Sequence, residues 1–243
     1  DRGHFVSGRV EAATVKVNYF SASASYVYEL VPFAPENLYF DRRYVRPEYN
    51  LLPGKGHHAD LNIGIDVSNS SDAVFYVKKF RIKAAGSFVT NDRYYAFYSL
   101  PEQVQTTHVM KVEQAKARCE AALGLSVYSA YLELGGKYEY VYSYASDAVT
   151  YQPAHLGSGY IRLNVWRFET EFGTGYRSRM NASPFMRMEV QPALTGSVSL
   201  QVRVLDSLYL HGRVDNLYNS RYSTVYPYPE QGRTVIGGLR IVL

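Results

Sequence analysis

The sequence predicts an all-β protein: an antiparallel transmembrane β-barrel portion of about eleven strands, with short turns at one end and long loops at the other. Three observations predict it. Apolar and polar residues alternate with period two along most of the 243 residues, as a strand with two unlike faces requires. No run approaches the roughly 20 apolar residues of a membrane helix, although 47% of the residues are hydrophobic and the mean hydropathy is −0.24. Tyrosine is in excess, with 24 Tyr against one Trp, and it suits both a pleated surface and the aromatic girdles at a membrane interface. The rival fold is a soluble β-sandwich or barrel, with its apolar faces turned inward.

The first strand is expected near His4–Val10, followed by a turn at Glu11–Ala13. Val15, Val17 and Tyr19 then oppose Lys16 and Asn18. The cleanest alternation sets Leu61, Ile63, Ile65 and Val67 against Asn62, Gly64, Asp66 and Ser68. Val109 to Leu125 has helix formers, yet Ala115, Ala117, Cys119, Ala121 and Leu123 alternate with Lys116, Arg118 and Glu120, which reads as a strand. Leu132, Leu134, Tyr138, Tyr140, Tyr142 and Tyr144 share a face opposite Glu133, Lys137, Glu139 and Ser143. That face passes from aliphatic to tyrosine, which would set the tyrosines at headgroup level. Val198, Leu200, Val202 and Val204 oppose Ser199, Gln201 and Arg203, and Leu208, Leu210, Gly212 and Val214 oppose Tyr209, His211, Arg213 and Asp215. On the last strand Val235, Gly237, Leu239, Ile241 and Leu243 share one face, with Thr234, Gly238 and Arg240 on the other.

Short turns are expected at Glu11–Ala13, Asn69–Asp72, Tyr128–Tyr131, Gly173–Gly175 and Asp206–Ser207. Longer connections are expected at Val31–Gly56, Thr90–Thr106, Ala145–Ser158, Gln191–Gly196 and Asn219–Gly232.

Little points to catalysis. No nucleophile–base signature is present, so the chain is not read as an enzyme and no cofactor is expected. The adjacent His57 and His58 lack companions at ligand spacing and would face opposite ways, so they read as a solvated strand end and no metal site is expected. A lone cysteine, Cys119, excludes an internal disulfide. The formal charge of +4 is spread without a dense basic run, which argues against nucleic acid. Arg203, His211, Arg213, Asp215 and Arg240 fall on polar strand faces and read as lining a polar lumen.

The C-terminal stretch carries a resemblance. Asn216-Leu217-Tyr218-Asn219, Arg221-Tyr222, Pro229-Glu230-Gln231-Gly232-Arg233 and a short terminal strand resemble the ending of TonB-dependent outer-membrane receptors. Looser likenesses lie upstream. They are the loop running to Arg46-Pro47-Glu48, the Ala117-Arg118-Cys119-Glu120 run, and Gln152-Pro153-Ala154-His155 before the Ile161-Leu163-Val165 strand. Gly238, Ile241 and Leu243 approximate that family's barrel-assembly signal.

The resemblance implies that residues 1–243 are the C-terminal part of an outer-membrane barrel domain of a Gram-negative bacterium, with no plug domain in the chain. Eleven strands are roughly half of the 22 in plugged transporters, and an open half-barrel is not viable in lipid. The remaining strands and the plug would come from the same polypeptide or a second chain, and the plug would reach the TonB system. The barrel would sit in outer-membrane lipid and lipopolysaccharide. The implied function is uptake of a scarce nutrient chelate such as a ferric siderophore; the alternatives are a structural scaffold barrel in a larger complex or a passive pore. Arg42, Arg43, Tyr44 and Arg46, then Arg93, Tyr94, Tyr95 and Tyr98, then Tyr222, Tyr226 and Tyr228 are the candidate ligand contacts on extracellular loops. Arginine there offers forked donors and tyrosine flat contact with a polar tip.

Overall fold

A computed structural model describes residues 8–17, 19–31, 54–70, 73–98, 106–144, 150–183, 186–225 and 228–241. The strands are β1 (Gly8–Val17), β2 (Phe20–Val31), β3 (Gly54–Ser68), β4 (Phe75–Tyr98), β5 (Thr106–Val127), β6 (Ala130–Tyr144), β7 (His155–Val165), β8 (Phe168–Arg177), β9 (Met180–Asn181), β10 (Glu189–Val190), β11 (Ala193–Leu205), β12 (Leu208–Asp215), β13 (Ser223–Val225), β14 (Tyr228–Pro229) and β15 (Thr234–Ile241). Among the described residues, eleven of them form one antiparallel sheet in the order β1-β2-β3-β4-β5-β6-β7-β8-β11-β12-β15. β9–β10 and β13–β14 are two small hairpins outside it. Each main strand pairs with its neighbours in sequence, as a meander of hairpins does. Within the described residues the sheet does not close, because β1 pairs only with β2 and β15 only with β12.

The alternation makes two unlike faces. Leu61, Ile63 and Ile65 of β3 meet Gly86, Ala84 and Ile82 of β4. Leu132 and Leu134 of β6 meet Leu163 and Ile161 of β7. Leu210 and Val214 of β12 meet Leu239 and Val235 of β15. Among the described residues nothing covers this face: Val235 is 73% exposed and Leu239 67%. A soluble sandwich would bury it, at about 1.5–3 kcal/mol for each large side chain. The opposite face carries the charged residues. Only one small apolar cluster is found among the described residues, around Met180, Ala182 and Val190 with Tyr151 and Met188 against it. It lies beyond the sheet, at the long-loop end.

The connections alternate as an antiparallel meander demands. Strands β1 and β2, β3 and β4, β5 and β6, β7 and β8, and β11 and β12 follow one another at one end of the sheet; β2 and β3, β4 and β5, β6 and β7, β8 and β11, and β12 and β15 follow one another at the other. Several expected boundaries are corrected. Glu11–Ala13 is not a turn: β1 runs through it, with Glu11 opposite Ser25 and a bulge between Ala12 and Val15. Tyr19 therefore belongs to the first turn and not to a strand. The start expected at His4 falls outside the described residues up to Gly8.

Gly173–Gly175 is also not a turn. Both glycines sit inside β8 because their neighbours crowd them: an added Cβ would lie 3.0 Å from Ser197 Oγ at Gly173 and 3.2 Å from Thr195 Oγ1 at Gly175. The turn is Trp166–Arg167, where Trp166 has φ 51° and the Arg167 guanidinium lies 5.0 Å from its ring. Tyr128 takes the same left-handed conformation, φ 51°, at the β5–β6 turn. The loop expected at Gln191–Gly196 is instead 178–192, since Ala193–Gly196 already pair with β8. The loop expected at Thr90–Thr106 is mostly strand: β4 continues to Tyr98, which pairs with Thr106.

Candidate functional site

The charged face is built from the short-turn end upward. A bulge at Lys78 resets the parity of β4, so that Val77 faces with the apolar side opposite Leu125 while Lys79 turns to the polar side opposite Gly124. Lys79 Nζ donates to Glu133 Oε1 at 2.6 Å. Tyr131 OH donates to Glu133 Oε2 at 2.9 Å and Tyr160 OH to Oε1 at 2.7 Å. The Arg162 guanidinium lies 3.8 Å from the same carboxylate and binds Glu171 through two nitrogens, at 2.9 and 2.6 Å. Glu133 is consequently buried, at 4% exposure, within a network that satisfies its charge laterally. Two glycines make room. An added Cβ at Gly124 would lie 2.7 Å from Tyr131 OH, and one at Gly135 only 2.4 Å from the Tyr160 ring. A second chain of contacts runs beside it: Arg81 donates to Asp66 at 2.8 Å and lies 3.6 Å from Glu120.

The five residues expected to line a lumen do share this face. Arg203, Tyr209 and Arg240 form one cross-strand row, and His211 faces Gly238. The Arg240 guanidinium lies 5.8 Å from the Tyr209 ring. Arg213 donates to Asp215 at 2.8 Å. His211 lies across Gly238, where an added Cβ would come within 2.5 Å of the imidazole. Of the residues read as an assembly signal, Gly238 is thus on the polar face, Ile241 is on the apolar face opposite Leu208, and Leu243 is outside the described residues. Glu133, Lys79, Tyr160, Arg162 and Glu171 were not singled out by sequence; Glu133 on the polar side of the Leu132 segment was the one visible sign.

At the long-loop end the C-terminal motif folds into a clamp. Asn216, with φ 51° and buried, donates through Nδ2 to the carbonyls of Ser220 and Gln231 at 3.0 and 3.3 Å, and its Oδ1 accepts from Ser220 N–H at 2.9 Å. Asn219, φ 50°, accepts from Arg233 N–H at 3.1 Å, and Arg233 Nη2 donates to the Leu217 carbonyl at 2.8 Å. Tyr218 covers Gly196. Arg177 ties two loops together by donating to the carbonyls of Gln191 and Ser223. The motif residues are therefore structural, and Asn216 and Asn219 are of a type that tolerates the left-handed turns they occupy.

Of the expected ligand contacts, Tyr222 is half-buried within this clamp, where its carbonyl accepts from Glu230 N–H at 2.8 Å. Arg42, Arg43, Tyr44, Arg46 and Tyr226 lie outside the described residues. Arg93, Tyr94, Tyr95 and Tyr98 lie along strand β4 and not on a loop, with Tyr94 opposite Met110 and Tyr95 opposite Val109. Tyr228 is on β14. The described structure does not bring these groups into one site. His57 and His58 part to opposite faces as expected. His58 Nε2 is 2.9 Å from Asp60 on the polar side. His57 Nδ1 is 2.6 Å from Tyr26 OH on the apolar side, and His155 repeats this with Tyr138 at 2.6 Å.

No family model and no curated protein matches the sequence. Solved structures do match. The siderophore receptor PiuA from Acinetobacter baumannii aligns with TM-score 0.64 at 14% identity, over 94% of this chain and 34% of that one. The copper transporter OprC aligns with TM-score 0.66 at 12% identity, over 96% and 38%. The pyoverdine outer membrane receptor FpvA from Pseudomonas aeruginosa PAO1 aligns with TM-score 0.54 at 13% identity, over 98% and 36%. The chain therefore has the fold of the barrel wall of TonB-dependent receptors and spans about a third of the length of the solved chains it matches.

Proposed function

We propose that this chain is the C-terminal part of the barrel of a TonB-dependent outer-membrane transporter that takes up a scarce nutrient chelate, such as a ferric siderophore. The observation that carries the reading is the two-faced sheet. One face is apolar and uncovered; the other holds cross-strand ion pairs; and the fold is that of a receptor barrel. The uncovered face would meet lipid, with lipopolysaccharide near its long-loop end, and the charged face would line an aqueous lumen. In lipid every backbone donor needs a partner, so the outer edges of β1 and β15 would pair with strands of the same polypeptide or a second chain. A plug from the same source would couple the barrel to the TonB system. The siderophore, copper and pyoverdine names of the structural neighbours support a metal-chelate substrate class.

Deleting the gene is expected to abolish uptake of at least one radiolabelled iron or copper chelate in metal-limited cells, and only where the TonB system is intact. Unchanged uptake across a panel of chelates would reject transport and leave a scaffold. Ion conductance by the purified protein without TonB would mark a passive pore. A monodisperse, detergent-free monomer would overturn the membrane assignment itself.

A further inference from the structure

Lys83 stands directly opposite Glu120 in the β4–β5 register, yet the two form no ion pair. Glu120 is engaged by Arg81, 3.6 Å away, which also holds Asp66. Lys83 leans the other way, over Gly64 on β3: an added Cβ at Gly64 would lie 3.1 Å from Lys83 Cγ and 3.4 Å from Ser21 Oγ. The base of its side chain thus lies over β3, beside the short Ser21 side chain of β2. Arg118 is the diagonal neighbour of Lys83, at a spacing of about 7–8 Å for such pairs. Glu139 stands opposite Arg118 on β6, but the two do not reach ion-pair distance. Among the described residues, neither Lys83 nor Arg118 has a carboxylate partner.

Both cations line one hollow of about 330 Å³ with Ser21, Ser23, Asn62 and Glu120. Around Glu133 and Asp66 the wall pairs its charges laterally; Lys83 and Arg118 instead set two unneutralised cations beside donor side chains in one hollow. The single acid of the hollow is already shared with Arg81.

We infer that this hollow is a binding site for an oxyanion, a carboxylate or phosphate group. Lys83 supplies a movable point charge, Arg118 a planar fork matched to two oxygens, and Ser21, Ser23 and Asn62 short neutral donors. Gly64 is a positioning residue: it holds no ligand but lets Lys83 lie across β3. The site requires only that the charged face meet water, so it stands or falls apart from transport. The oxyanion has two possible sources, a free solute or an acidic side chain of a segment that fills the lumen.

The test is calorimetric titration of the full-length protein in detergent with inorganic phosphate and with citrate, next to zero-length carbodiimide coupling mapped by mass spectrometry. For a free solute, both probes bind one site, and Lys83→Gln or Arg118→Gln weakens them at least tenfold. Gly64→Ala weakens them several-fold, Arg118→Lys retains part of the affinity, and Arg213→Gln changes nothing. For a protein carboxylate, the probes do not bind, but carbodiimide joins Lys83 to an acidic residue and Arg118→Gln lowers that yield. Binding that the Lys83 and Arg118 variants leave intact would overturn the site, as would the absence of both binding and coupling. Heat-modified gel migration of each variant reports that the barrel is folded.

Discussion

Two regions of this wall satisfy their polar groups in opposite ways. Around Glu133, side chains bind side chains, and apart from Tyr131 the partners are far apart in sequence: Lys79 is 54 residues away and Tyr160 is 27. Around Asn216, side chains bind backbone, and the partners are near: Ser220 at four residues and Gln231 at 15. The first region joins β4, β6, β7 and β8 into one belt. The second only seals the hairpin that leads into β15. A local clamp needs a fixed set of residues at fixed spacing and so appears as a motif. A belt needs only that charges meet across strands, and leaves no motif.

This difference sets the expected size of each perturbation. Glu133→Leu strands Lys79, Tyr131 and Tyr160 on a wall built to neutralise them, and should cost about 3–5 kcal/mol, the usual penalty for breaking a buried pair from one side. The urea midpoint of the folded-to-unfolded gel shift reads it out. Adding Lys79→Met should recover part of that loss; a second, additive loss would show that the two do not act as one network. Gly135→Val would drive the Tyr160 ring off its seat and should cost about 1–3 kcal/mol through overpacking. In that variant Tyr160→Leu, removing the ring, should restore some stability.

The clamp should respond less. Asn216→Ala removes three hydrogen bonds at a left-handed position and should cost about 1–3 kcal/mol, as for a buried polar group left unpaired. Asn216→Gly keeps the backbone conformation, and should therefore recover the strain component alone, about 1 kcal/mol. Equal losses for Ala and Gly would place the whole effect in the hydrogen bonds. Arg213→Gln breaks an exposed pair with Asp215 and should change stability by less than about 1 kcal/mol. An effect there as large as that of Glu133→Leu would erase the distinction between an integrated belt and an isolated pair.

The sites differed in legibility for the same reason. Asn216, Asn219 and Arg233 could be found by spacing, though their role proved to be holding backbone. Of the aromatic and arginine residues expected to bind ligand, Tyr94 and Tyr95 lie along a strand that outlasts its expected end, and Tyr222 belongs to the clamp. Composition identifies such residues without fixing where a hairpin turns. Gly173 and Gly175 resembled a turn for the same reason, whereas they are glycines because Ser197 and Thr195 crowd them.

Alternation is a property of one strand, and it was sufficient by itself to give an all-β chain with an apolar and a charged face, short turns at one end and long loops at the other. It also placed Arg203, His211, Arg213, Asp215 and Arg240 together on the charged side. Only the tertiary structure decided which charges meet. Register is set between strands, and each bulge changes the parity of the residues beyond it. The bulge at Lys78 puts Val77 with the apolar residues and Lys79 within reach of Glu133. The packing of Lys83 over Gly64, and the engagement of Glu120 by Arg81, likewise depend on strands far apart in the chain. Neither the belt nor the unpaired cations beside it are encoded in any local spacing.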